Sequence, residues 1–87
     1  MFFVYILERS DKKLYIGQTN NLDKRMRRHS NGQVRSTKGY RPLQLAYSEQ
    51  YLTRREAVLR ERHLKSLKDK NMLLKLISSG EVPSSNG

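Results

Sequence analysis

The segment that most restricts the fold is residues 2–7, which read Phe-Phe-Val-Tyr-Ile-Leu. Aromatic and branched residues at this density favour a strand. In a strand, Phe3, Tyr5 and Leu7 point to one side and Val4 and Ile6 to the other. Both sides are apolar, so the strand needs cover on both and belongs in the middle of a sheet. With only 87 residues available, the rest of the chain has to supply two flanking strands and two layers of cover from one small domain.

The remaining elements follow in order. Ser10-Asp11-Lys12-Lys13 is short and polar and reads as a hairpin turn, with residues 14–17 returning as a second strand. Asn20-Asn21 offers a helix N-cap before Leu22, and the helix runs to about Asn31-Gly32, whose glycine suits a C-terminal stop. Residues 33–42 have no period and read as a basic loop. Leu43, Leu45 and Tyr47 alternate with Gln44, Ala46 and Ser48, which predicts a third strand with one wetter face. Thr53 and Glu56 have capping-box spacing and open a second helix to about Ser66. Ser66-x-x-Asp69 restarts a third, with Met72, Leu73, Leu76 and Ile77 as its buried stripe. The fold class is α/β in the α+β sense: a three-stranded antiparallel sheet flanked by helices, in the order β-β-α-β-α-α. Residues 1–79 form the domain, and residues 80–87, polar and containing Pro83, read as a disordered tail.

Charge is the first functional signal. Lys and Arg number 18 against 8 acidic residues, for a net charge of +10. Such a field draws polyanions, of which nucleic acid is the commonest in the cytoplasm. No stretch pairs a basic face with exposed aromatics, so a membrane surface is not the expected partner. The longest apolar run, residues 1–7, is too short to span a bilayer and lacks signal-peptide character. The absence of cysteine removes disulfides and cysteine-ligated zinc, and fits a cytoplasmic protein.

Polar residues fall where apolar ones belong. In the first helix Leu22 and Met26 mark the buried stripe; His29 continues it and Arg25 flanks it. In the second, Ala57, Val58, Leu64 and Leu67 mark the stripe and Glu61 lies inside it. Buried Arg and Glu are costly unless paired or bound to a ligand. Two readings stand. Arg25 and Glu61 could form one structural salt bridge, with His29 a satisfied core histidine. Alternatively, the stripes open onto a cleft where acid, cation and imidazole converge on a phosphate. Tyr5 and Tyr15, on adjacent antiparallel strands, are either packing residues or two hydroxyls beside that cleft.

These residues resemble the GIY-YIG nuclease superfamily, and in particular its small single-domain bacterial members and the N-terminal nuclease domain of an excision-repair subunit. The hallmark is two strand motifs about ten residues apart, here Phe3-Val4-Tyr5 and Tyr15-Ile16-Gly17. The second is complete; the first has Phe3 in place of its glycine. Thr19-Asn20-Asn21-Leu22-x-x-Arg25 resembles the segment leading to the family arginine. His29 stands where relatives carry His or Tyr. Glu56-Ala57-x-x-x-Glu61 resembles the helix with the metal-binding glutamate, and Ser36-Thr37-Lys38 with Arg41-Pro42 resembles the small members' basic loop.

The resemblance implies an Mg²⁺-dependent (or Mn²⁺-dependent) endonuclease with one metal site at Glu61, acting on nucleic acid, DNA ahead of RNA, in repair or processing. It makes Tyr5, Tyr15, Arg25 and His29 the catalytic set. Arg25 would contact the phosphate. Tyr15 or His29 would take the proton of the attacking water; relatives often carry a lysine after Tyr-Ile-Gly, and Gln18 stands here, which leaves that choice open. Gly17, Arg28, Arg35, Thr37, Lys38, Arg41 and Lys65 are the expected nucleic-acid contacts, with Lys12, Lys13, Arg27 and Lys68 as further basic positions. Gly17 would also permit close backbone approach. A non-catalytic binding module and an enzyme that needs a protein partner for specificity are the rival readings.

Overall fold

A computed structural model describes residues 1–67 and 70–78. In it the doubly apolar segment is the central strand. β1 (Phe2–Glu8) lies between β2 (Leu14–Thr19) and β3 (Gln44–Tyr51), antiparallel to both, in the order β2-β1-β3. Val4, Tyr5, Ile6 and Leu7 are all buried, as a strand covered on both faces requires. The helices are α1 (Leu22–Ser30), α2 (Arg54–Ser66) and α3 (Lys70–Ser78), which completes the expected order.

The two sheet faces have different cover. Val4, Ile6, Ile16 and Tyr47 pack against Ala57 and Leu64 of α2 and Leu73 of α3 in the main core. Fully burying a Leu or Ile side chain contributes about 1.5–3 kcal/mol, so this layer carries much of the stability. The opposite face presents Tyr5 and Leu7 and is covered by α1 and the loop after it, which bury His29, Val34 and Thr37.

Local signals fix the junctions. Lys12 takes a left-handed φ of 72° in the β1–β2 turn, which the Arg9 N–H closes onto the Lys13 carbonyl at 2.8 Å. Asn21 caps α1, its side chain accepting the Lys24 N–H at 3.0 Å. Past the other end, Gly32 has φ 76°, where a residue without Cβ is favoured. Thr53 and Glu56 form the full capping box of α2.

Four expectations need correction. The loop over residues 33–42 contains a 3-10 turn, Lys38–Tyr40. The alternation expected in β3 does not hold through it. The pairing shifts between Ile6 and Leu7, which face Tyr47 and Leu45 respectively. Ala46 is the extra residue of this bulge, and one extra residue reverses which side chains face inwards. Leu45 is therefore 46% exposed while Tyr47 is buried. In α3, Leu73, Leu76 and Ile77 pack on the core, but Met72, one residue off that i, i+3, i+4 stripe, is exposed. Ser66, expected to open this helix, is instead the last residue of α2; Asp69 of that motif, the basic position Lys68 and the tail at residues 80–87 lie outside the described residues.

Candidate active site

α1 places His29 by its spacing. Leu22, Met26 and His29 are four and three residues apart, so they share the face turned to the sheet. His29 is 1% exposed and sits in an unbroken line of polar groups. Arg25 Nε donates to the Tyr5 hydroxyl at 3.2 Å, and that hydroxyl lies 3.0 Å from His29 Nε2. On the far side of the ring, His29 Nδ1 is 2.8 Å from Thr37 Oγ1, which in turn reaches the Val34 carbonyl at 3.4 Å.

Electrostatics match this line. Burial, aided by the charges of Arg25 and Arg28, pushes the His29 imidazole down to about 4, so it is neutral at pH 7. Burial pushes the Tyr5 phenol up, against the pull of Arg25, so it keeps its proton. The hydrogen bond with Tyr5 is the main reason that Arg25 holds its charge more firmly than usual; burial opposes it and the Tyr15 phenol adds to it.

Tyr15 and Glu61 border the same place. The Tyr15 ring meets His29 edge-on at 5.5 Å and Tyr5 at 6.4 Å. The two tyrosines are diagonal rather than directly paired, because the register sets Tyr5 opposite Gly17 and Tyr15 opposite Leu7. Glu61 is half-buried on α2, between Ala57 and Leu64, and its charge reaches the Tyr5 phenol. The structural salt bridge between Arg25 and Glu61 is not what forms. Arg25 bonds to Tyr5, and Glu61 pairs with Lys65 one helical turn on, at 2.8 Å.

Metal-ligand chemistry here rests on oxygen. Among the described residues no group of three or more His, Cys, Asp or Glu is poised to hold an ion. Glu61 supplies a carboxylate. The Gln18 Oε1 is buried with no hydrogen-bond partner. Gln18 pairs with Val4 in the ladder, so it lies on the sheet face opposite Tyr5 and Tyr15.

The basic residues separate into groups. A depression of about 200 Å³ is lined by Thr19, Asn20, Asn21, Lys24, Arg25 and Arg28. It adjoins a wider one of about 610 Å³ lined by Lys24, Arg27, Arg28 and Gln33. Together they make a cationic groove leading away from Arg25; Lys24 was not marked by the sequence. Arg35 and Lys38 are exposed on the loop that follows, and Lys12 and Lys13 on the β1–β2 turn.

Four expected nucleic-acid contacts have other employment. Gly17 is buried under the Tyr5 ring and Thr37 is wholly buried behind His29, so neither is open to a macromolecule. Arg41 donates to the carbonyls of Lys38 and Ser30, tying the loop to the end of α1. Lys65 is taken up by Glu61.

The sequence also gave no sign of a second polar cluster. Glu49 on β3 accepts from Tyr47, Tyr51 and both Nε and Nη2 of Arg60. Burial works against its charge, but Arg60 and the two phenols outweigh it and hold the carboxyl below its ordinary value. Glu49 pairs with Val4, next to Tyr5 in β1, so it lies on the opposite sheet face from the line at His29.

Comparison with known proteins matches residues 1–75 to the model of the GIY-YIG catalytic domain. A UPF0213 protein of Clostridium perfringens is 44% identical over 87 residues, covering 99% of this chain and 92% of that one. One from Staphylococcus saprophyticus is 40% identical over 79 residues, covering 90% and 95%. The solution NMR structure of a UPF0213 protein from Bacillus halodurans superposes with a TM-score of 0.59 at 29% identity, covering 92% of this chain and 87% of that one.

Proposed function

The chain belongs to the GIY-YIG catalytic-domain family, a family of nucleases, and from that premise we propose that it is a metal-dependent endonuclease. Its substrate is nucleic acid, DNA ahead of RNA, in repair or processing in the cytoplasm. The observation that carries this reading is the line Arg25–Tyr5–His29 with Tyr15 and Glu61 at its border. A phosphate-binding surface alone needs cations; it has no use for a half-buried carboxylate and a phenol beside them.

Each residue has a task in phosphodiester hydrolysis. Arg25 commits Nε to Tyr5, so its terminal nitrogens are the donors for the scissile phosphate. Such preorganised donors are worth about 10²–10³ in kcat. Tyr15 accepts the proton of the attacking water as its own hydroxyl proton passes to solvent. Two features favour it over His29: His29 is 1% exposed, and both its ring nitrogens are already bonded, to Tyr5 and Thr37. A positioned base contributes roughly 10²–10⁴-fold. Tyr5 holds Arg25, and His29 holds Tyr5. Glu61 would hold one Mg²⁺ or Mn²⁺, which as a Lewis acid supplies stabilisation of charge developing on the phosphate and the leaving oxygen. Lys24, Arg27 and Arg28 hold the flanking strand.

The test compares wild type and Glu61→Ala on labelled single-stranded, duplex and branched DNA and on RNA, with Mg²⁺, Mn²⁺ or EDTA. Cleavage that needs metal and disappears in the variant while binding persists is the expected result. Salt-sensitive binding without cleavage by either protein would turn the assignment to a binding module or to an enzyme that works only with a protein partner.

A further inference from the structure

We propose that Thr37 is a positioning residue: by accepting Nδ1–H of His29 it fixes the imidazole tautomer, and through it the direction of the Tyr5 hydroxyl proton. The inference rests on the nuclease reading for its consequence, but not for its structural content.

The donors can be assigned along the line. Arg25 Nε can only donate, so the Tyr5 oxygen must accept from it. The neutral imidazole carries one N–H. If that proton is on Nδ1, it goes to Thr37 Oγ1, whose own proton goes to the Val34 carbonyl. Nε2 is then free to accept the Tyr5 O–H. Each donor has an acceptor.

The other tautomer fails at Tyr5. With the proton on Nε2, the Tyr5 oxygen would accept from both of its partners, and its own proton would have neither to go to. An unmade bond for a buried donor costs about 1–3 kcal/mol. Tyr5 is 0% exposed, and so is Thr37. The threonine comes from the loop between α1 and β3, and its backbone N–H is held to Val34 O at 3.1 Å. That bond holds Oγ1 beside Nδ1, and the hydroxyl's own bond to the Val34 carbonyl directs its proton away from the ring and leaves the oxygen to accept. Its effect on chemistry travels two links: it orients His29, His29 orients the Tyr5 proton, and the Tyr5 oxygen is left to anchor Arg25.

The test uses wild type, Thr37→Val, which keeps the shape without the hydroxyl, and Thr37→Ser, which keeps the hydroxyl. Long-range ¹H–¹⁵N spectra read the His29 tautomer directly; the chain has one other histidine, His63, removed in a His63→Gln background. Wild type is expected to show Nδ1 protonated and Nε2 bare. Thr37→Val is expected to lose that pattern and Thr37→Ser to keep it. A wild-type imidazole protonated on Nε2 overturns the proposal, whether or not either variant folds. So does a folded Thr37→Val protein with the wild-type tautomer. In cleavage, a wrong tautomer on a catalytic histidine costs up to about 10⁴-fold, and partners one shell out cost roughly 10–100-fold. The lower range is expected here for Thr37→Val in kcat, with KM within about twofold and recovery in Thr37→Ser. Equal loss in both variants overturns the positioning role. If wild type cleaves nothing, the nuclease reading fails, while the spectra still decide what Thr37 does.

Discussion

Gly17 lies directly opposite Tyr5 in the β1–β2 ladder, and a Cβ on it would fall 2.5 Å from the Tyr5 phenolic oxygen and 2.7 Å from Cζ. No real Cβ sits so close, so the Tyr5 ring can cross β2 only because this residue has no side chain. The glycine of Tyr15-Ile16-Gly17 thus serves the hydroxyl that Arg25 and His29 share.

Gly17→Ala is expected to displace the Tyr5 hydroxyl and break its bonds to Arg25 and His29. Overpacking of this kind costs about 1–3 kcal/mol, a loss that leaves a folded protein to assay. Cleavage should fall by about 10² or more, as for the loss of a preorganised donor. Urea unfolding and single-turnover cleavage check the two parts. A folded variant with full activity would mean that the Tyr5 position does not matter to the chemistry.

Acid should weaken the fold before any carboxylate is involved. His29 binds its proton near 4 in the folded chain and near 6.5 when unfolded. Between those values the unfolded chain takes up a proton that the folded chain refuses, so stability falls as pH falls. The effect starts below about 6.5 and reaches at most about 3 kcal/mol near 4. Denaturant midpoints at pH 7, 5.5 and 4.5 test it. His29→Gln should flatten the dependence over this window; an unchanged slope would locate the titration elsewhere.

How much of this could be read from the sequence depended on whether the signal was local. The doubly apolar β1, the Asn21 cap, the Thr53–Glu56 capping box and Gly32 are each written within a few residues, and all appear where expected. Periodicity also turned Arg25, His29 and Glu61 towards the core, but it cannot say who bonds to whom. That needs the sheet register, which gave Arg25 to Tyr5 and left Glu61 with Lys65. Thr37 was legible as part of a basic loop and not as the partner of His29, because a loop has no period from which to read burial. Glu49 was passed over for a different reason: it lies in phase with buried Tyr47, but the alternation was followed only to Ser48, and its partner Arg60 comes from α2.

The Glu49 cluster separates stability from catalysis. Glu49→Gln removes the charge and leaves one amide oxygen for Tyr47, Tyr51 and Arg60. Breaking a largely buried pair of this kind costs on the order of 3 kcal/mol. Because the cluster lies on the other sheet face from Tyr5, kcat measured well below the new melting temperature should stay within about twofold. Thermal unfolding and cleavage at 15 °C check both. Lost activity in a protein still fully folded would show that the two sheet faces communicate.

The groove along α1 predicts how binding depends on salt. Lys24, Arg27 and Arg28 line the two depressions leading from Arg25. If Arg27 and Arg28 each meet one phosphate, replacing both by Ala should reduce the magnitude of the log K against log salt slope on duplex DNA by about 2. Arg62, exposed on α2 and lining neither depression, serves as the control, and Arg62→Ala should leave the slope unchanged. Fluorescence anisotropy over a salt series in EDTA measures this without cleavage. Equal slopes for the double variant and wild type would mean that the strand does not run along α1.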